Sequence, residues 1–201
     1  MKSEKVLTWR RYYVTLVIFA INVLGYIVCT QTGELLYNIG SMNAERIAVD
    51  GQYYRFATSM FLHADIEHIV SNMIFLIGLG QIVEDAIGHL RFLVLYLLSG
   101  FGAGAFSFMY SVLTGDIYDA VGASGAIFGL IGALLILVVI HHGRYGSISM
   151  GRLLFAIIYM IYSGARAERV DNAAHIGGLV CGALIMACMN VIVHLFRRRG
   201  A

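Results

Sequence analysis

The sequence predicts an all-α polytopic membrane protein with six transmembrane helices, and three observations carry that expectation. The 201-residue chain is 59% hydrophobic and only 13% charged, with a mean hydropathy of +0.78. Soluble domains carry about a quarter charged residues, so water is not the main solvent of this chain. Six apolar runs are long enough, or nearly so, to cross a hydrocarbon core, which takes about 20 helical residues and tolerates about 17. Lysine and arginine alternate between the two ends of those runs, as the retention of basic residues in cytoplasmic loops requires.

The elements follow in order. Residues 1–11 are polar and basic and lead into the first run, 12–30. A cleaved signal peptide would have a shorter apolar core and a small-residue cleavage site, so a retained first span is expected. The remaining spans are expected at 66–83, 92–113, 122–140, 148–163 and 173–196, the fifth being the shortest. No polar, Pro-rich or Ser-rich stretch marks a linker, which makes residues 1–201 a single transmembrane domain. Lys2, Lys5, Arg10, Arg11, Arg91, Arg144, Arg152 and the run Arg197, Arg198, Arg199 fall on one side. Arg46, Arg55, Arg166 and Arg169 fall on the other, so both termini are expected in the cytoplasm. The connection 31–65 mixes Leu35, Leu36, Tyr37, Tyr53, Tyr54 and Phe56 with isolated charges. It either settles in the outer interface as an amphipathic segment or forms a plain external loop.

Composition also excludes functions. A net charge of +2, with basic residues at run ends and no basic stripe, gives no footprint for nucleic acid. Cys29, Cys181 and Cys188 all lie inside apolar runs, where a free thiol acts as a small hydrophobe and no disulfide framework is implied.

Polar groups inside spans cost several kcal/mol unless they face a cavity or a partner, which makes each one a candidate for function. His68 and Asn72 stand in the first turns of the second span, Ser124 at the start of the fourth and His175 at the start of the sixth. Even-numbered spans all run from outside to inside, so these four side chains share one depth near the outer face. His68 and Asn72, four apart, project from one helix face. Taken singly, each has an ordinary explanation: polar residues bond helices together, and Ser124 in Gly122-Ala123-Ser124-Gly125 could be a packing residue. The small residues that follow His175 (Gly177, Gly178, Gly182, Ala183) permit the close approach that a hydroxyl-to-imidazole hydrogen bond needs. His63 is five residues from His68, about 140° around a regular helix, so if the helix extended that far the two would not converge, and a metal pair is not expected. Two other classes stay open: a transporter, whose polar groups would spread through the membrane's depth, and a membrane protein that binds clients without cutting them.

Three motifs resemble the rhomboid intramembrane serine proteases: His63-x4-His68-x3-Asn72, Gly-x-Ser-Gly around Ser124, and Ala174-His175-x2-Gly-x3-Gly182. The resemblance covers essentially the whole chain and implies a rhomboid-like bundle of the basic six-span bacterial form. It implies Ser124 as nucleophile, His175 as its general base, and an oxyanion hole of His68, Asn72 and the Ser124 backbone N–H. It further implies that transmembrane proteins are the substrates, cleaved near the outer face of the cell membrane, with no cofactor or metal and the oligomeric state left open. Glu84, with Gly88 after it, resembles an acidic residue of the family with a structural role. Two departures are visible: Tyr54-Arg55 where the family often has Trp-Arg, and Phe128 where some members set a tyrosine against the histidine. Phe128 is therefore the expected support for the Ser124/His175 dyad.

Overall fold

The computed structural model describes residues 12–166 and 170–199. Lys2, Lys5, Arg10, Arg11 and Arg169, which entered the orientation argument, lie outside the described residues. A helix occupies each of the six expected segments, with ends shifted by four residues at most: α1 Tyr13–Thr32, α5 Ile66–Ile87, α6 His89–Thr114, α7 Ser124–Ile140, α8 Met150–Arg166 and α9 Asn172–Arg199. Three short helices, α2 Leu35–Gly40, α3 Ala44–Ala48 and α4 Arg55–Thr58, and a 3-10 turn Ser59–Phe61 lie between α1 and α5.

Length and composition let α1, α5, α6 and the Asn172–Ile192 part of α9 cross a membrane, while α7 and α8 are shorter apolar helices. The outer surface agrees with a lipid solvent. Leu24, Ile74, Leu113 and Phe155 are each more than 60% exposed, which a water-facing surface rarely combines.

α7 is apolar on every side and is accordingly the central helix, packed by α5, α6, α8 and α9. Leu130 and Leu134 of α7 meet Leu76 of α5 and Phe92, Leu95 and Tyr96 of α6 in the main core, all fully buried. α1 is strapped to the bundle by Glu84. Its carboxylate accepts the Val14 N–H at 3.0 Å, the Thr15 N–H at 2.8 Å and the Thr15 hydroxyl at 2.6 Å, so a negative charge sits where a helix N-terminus has unpaired donors. His89 Nδ1 meets the same carboxylate at 2.6 Å.

The 31–65 segment is a folded unit and not a plain loop. Arg55, 3% exposed, donates to the carbonyls of Asn38 and Ser41 and to Gln52 Oε1, tying α2 to α4. Met42, Ile47 and Phe56 form its own small core, and Met42 pairs through two backbone hydrogen bonds with Ala120 ahead of α7. A two-residue hairpin, β1 Arg144–Tyr145 with β2 Ile148–Ser149, joins α7 to α8. Hydropathy gives no warning of it. Gly146, at φ +56°, supplies the turn.

Candidate active site

The chain turns into α7 at Gly122, whose φ of +132° lies where glycine is favoured. A β-carbon there would stand 2.7 Å from His68 Nε2 and 3.7 Å from Ser124 Oγ, so only glycine lets the α5 imidazole lie against the turn. The Gly122 N–H donates to the Ser59 carbonyl at 2.9 Å and fixes the turn to the unit between α1 and α5. Ser124 is then the first residue of α7, and its backbone N–H has no helical carbonyl to receive it.

His175 arrives from the facing wall. Asp171 stands just before α9, and its Oδ1 accepts the Ala174 N–H at 2.8 Å, which is the geometry of an N-cap. Asp171 Oδ2 accepts the Ser107 hydroxyl from α6, and the Tyr118 hydroxyl lies 3.4 Å from Ser107 Oγ. α9 meets α7 backbone to backbone: a β-carbon on Gly178 would be 2.0 Å from the Gly125 carbonyl oxygen, and one on Gly182 2.0 Å from that of Gly129. This approach brings His175 Nε2 to 3.0 Å from Ser124 Oγ.

The imidazole is also held in its plane. Phe128, one turn beyond Ser124, stacks on it with centroids 4.2 Å apart and planes 14° from parallel. Nδ1 meets no hydrogen-bond partner among the described residues, so the ring stack is the contact that fixes the plane of the imidazole. A hydroxyl at hydrogen-bond distance from a neutral imidazole can lose its proton as it attacks a carbonyl.

The second-span residues are placed differently from one another. The His68 N–H is accepted by Asp65, the N-cap of α5, at 2.7 Å. Asn72, 5% exposed, donates to the His68 carbonyl one turn back at 3.0 Å, leaving its second N–H free of that bond. The helical divergence of His63 from His68 was conditional on a helix that reached His63, and that condition is not met: their rings meet edge to face at 5.2 Å. The reason is that α5 begins only at Ile66, so helical angles do not apply to His63. His63 is fully buried, its Nε2 faces the Ala123 N–H at 3.5 Å, and burial, then the neighbouring His68, push its imidazole down to about 3. It is therefore neutral at pH 7 and accepts beside the turn that presents Ser124. Among the described residues no group of three or more His, Cys, Asp and Glu converges as a metal site would require.

A cleft of about 40 Å³ opens beside Ser124 among α6, the turn into α7 and the start of α9, and Ala103, Ser107, Gly122 and Asp171 are among its lining residues. Sequence reasoning passed over Ser107 and Asp171. The signal available was an aspartate immediately ahead of an apolar helix, the usual mark of an N-cap.

Comparison with known proteins places this geometry in context. Residues 50–191 match the family model of the Rhomboid domain. The chain is 32% identical over 182 residues to the Rhomboid protease GluP of Bacillus subtilis (strain 168), covering 88% of this chain and 35% of that protein. It is 33% identical over 175 residues to the Rhomboid protease AarA of Providencia stuartii, covering 77% and 62%. It is 36% identical over 152 residues to the RHOMBOID-like protein 6, mitochondrial, of Arabidopsis thaliana, covering 75% and 48%. The chain thus spans less than two thirds of the length of each of these curated relatives.

Proposed function

The chain belongs to the rhomboid family, and from that premise we propose that it is an intramembrane serine endopeptidase that cuts transmembrane segments of other proteins. The observation that carries the reading is the 3.0 Å contact between Ser124 Oγ and His175 Nε2. Relatives named as rhomboid proteases support it.

In this reading Ser124 Oγ attacks the scissile carbonyl while His175 Nε2 takes its proton. The tetrahedral intermediate collapses as the imidazolium gives that proton to the leaving amine, and an acyl-enzyme remains. Water, deprotonated by the same imidazole, attacks the ester and releases the acid and Ser124. The oxyanion is held by the Ser124 backbone N–H, His68 and Asn72, at about 2.7–3.1 Å from each donor. Phe128 keeps the imidazole aligned through both proton transfers.

Six spans, with α7 and α8 as the short ones, put both termini in the cytoplasm and the dyad near the outer face. Water then reaches the site from outside, which offsets the desolvation of its polar groups. A substrate helix hides its carbonyls in its own hydrogen bonds and must unwind to enter. Segments with Gly, Ala or Pro near the outer boundary are accordingly the preferred substrates.

The test is cleavage of a single-span reporter by the purified protein in detergent. Wild type cuts near the outer boundary, and Ser124→Ala and His175→Ala do not, though both remain folded. Cleavage that survives either substitution removes the assignment.

A further inference from the structure

The segment that leads into α5 is gripped by α1 and α2. A β-carbon on Gly25 of α1 would stand 2.8 Å from the Phe61 carbonyl oxygen, and one on Gly40 of α2 2.9 Å from Leu62 Cδ1. Thr58 Oγ1 donates to the Gly40 carbonyl at 2.8 Å. One turn before Gly40, the half-buried Tyr37 donates its hydroxyl to the carbonyl of His63. Burial first, then Cys29, Tyr26 and Asp65, push that hydroxyl above its usual range, so it stays protonated and remains a donor.

What the Tyr37 bond holds is the residue behind the site. His63 Nε2 faces the N–H of Ala123 at 3.5 Å, immediately before Ser124, whose own N–H is one donor to the proposed oxyanion. The His63 ring also meets the ring of His68, a second donor, which lies against Gly122. One fully buried imidazole therefore backs both the 122–124 turn and His68. Its Nδ1 meets no hydrogen-bond partner among the described residues, so the place of the ring is set largely by how its own backbone is held.

We propose that Tyr37 is a positioning residue for the reaction: by holding the His63 carbonyl it keeps the His63 imidazole behind Ala123 and His68, and so fixes where two of the oxyanion donors stand. Tyr37 acts only through His63 and is no part of the dyad. The donors are called on when the oxyanion forms, so loss of the hydroxyl slows the chemical step and leaves substrate binding unchanged. A tyrosine that merely satisfies a nearby carbonyl would affect stability alone. This role rests on the protease reading above.

The experiment measures kcat and KM on a single-span reporter in detergent, with thermal unfolding, for wild type, Tyr37→Phe, His68→Ala and the double variant. Phenylalanine keeps the ring and its packing and removes only the hydroxyl. Tyr37→Phe remains folded at the assay temperature, and its kcat falls by about tenfold, on the order of one net hydrogen bond, while KM stays within about twofold. In the His68→Ala background the same substitution lowers kcat by about threefold or less, because one of the two donors it positions is already gone and residues of one network are not additive. The proposal is overturned by a wild-type kcat in Tyr37→Phe, by a change confined to KM, or by a loss of rate that only matches the loss of folded protein. It is equally overturned if the substitution slows the reaction by the same factor with and without His68. A wild-type protein that cleaves no reporter overturns the protease reading, and the role of Tyr37 with it.

Discussion

At the scale of residues, the site depends on groups whose roles differ in how far a sequence exposes them. Ser124 and His175 stand out because a polar side chain in an apolar run needs a reason, and their motifs supply one. His68 is also visible in that way. Its ring lies against Gly122 where Ser124 is presented, and in the proposed mechanism it stabilises charge only as the intermediate forms. His68→Ala is therefore expected to lower kcat by about 100- to 1,000-fold with little change in KM. Steady-state kinetics on a reporter checks this, and an effect confined to KM would assign His68 to substrate binding instead. His63 was legible as the first residue of a motif but not in its place beside His68, and Ser107 and Asp171 were not legible. His63 was judged by helical spacing on a stretch that is not helix, and Ser107 meets Asp171 only through tertiary packing of α6 against α9.

At the scale of elements, the pairing of α7 with α9 decides whether the dyad exists. Two glycines of α9, Gly178 and Gly182, lie on carbonyl oxygens of Gly125 and Gly129, so neither position has room for a side chain. The small-residue pattern after His175, with the expected pairing of His175 and Ser124, made the approach of these two helices readable, but not which glycines meet which carbonyls. Gly182→Val would drive its β-carbon into the Gly129 carbonyl and separate the helices at the level of the site. It is expected to cut cleavage by more than about tenfold and to lower stability by about 1–3 kcal/mol, the usual cost of overpacking. Wild-type activity and thermal unfolding in Gly182→Val would show that the contact is not needed.

At the scale of the whole molecule, hydropathy placed all six helices but misjudged some ends for a physical reason. A run counted by apolar residues stops at Val83, yet α5 continues to Ile87 because the charge of Glu84 is taken up inside the protein. That carboxylate joins the end of α5 to the start of α1, far from the dyad. Glu84→Ala would leave buried donors of Val14 and Thr15 unpaired, each costing about 1–3 kcal/mol. A loss of several kcal/mol in stability is expected by thermal unfolding in detergent, and an unchanged midpoint would refute the strap. The hairpin at Arg144–Ser149 and the folded unit between α1 and α5 were the least legible parts, because short turns and buried arginine bonds leave no periodic trace. The account as a whole turns on an activated serine at the head of the central helix. A fluorophosphonate probe reads this directly, since it bonds to a serine oxygen that a neighbouring base has made nucleophilic. Intact mass should show one adduct, on Ser124, in wild type, none in Ser124→Ala, and labelling at least about 100-fold slower in His175→Ala; equal labelling with and without the imidazole, or none in wild type, would contradict it.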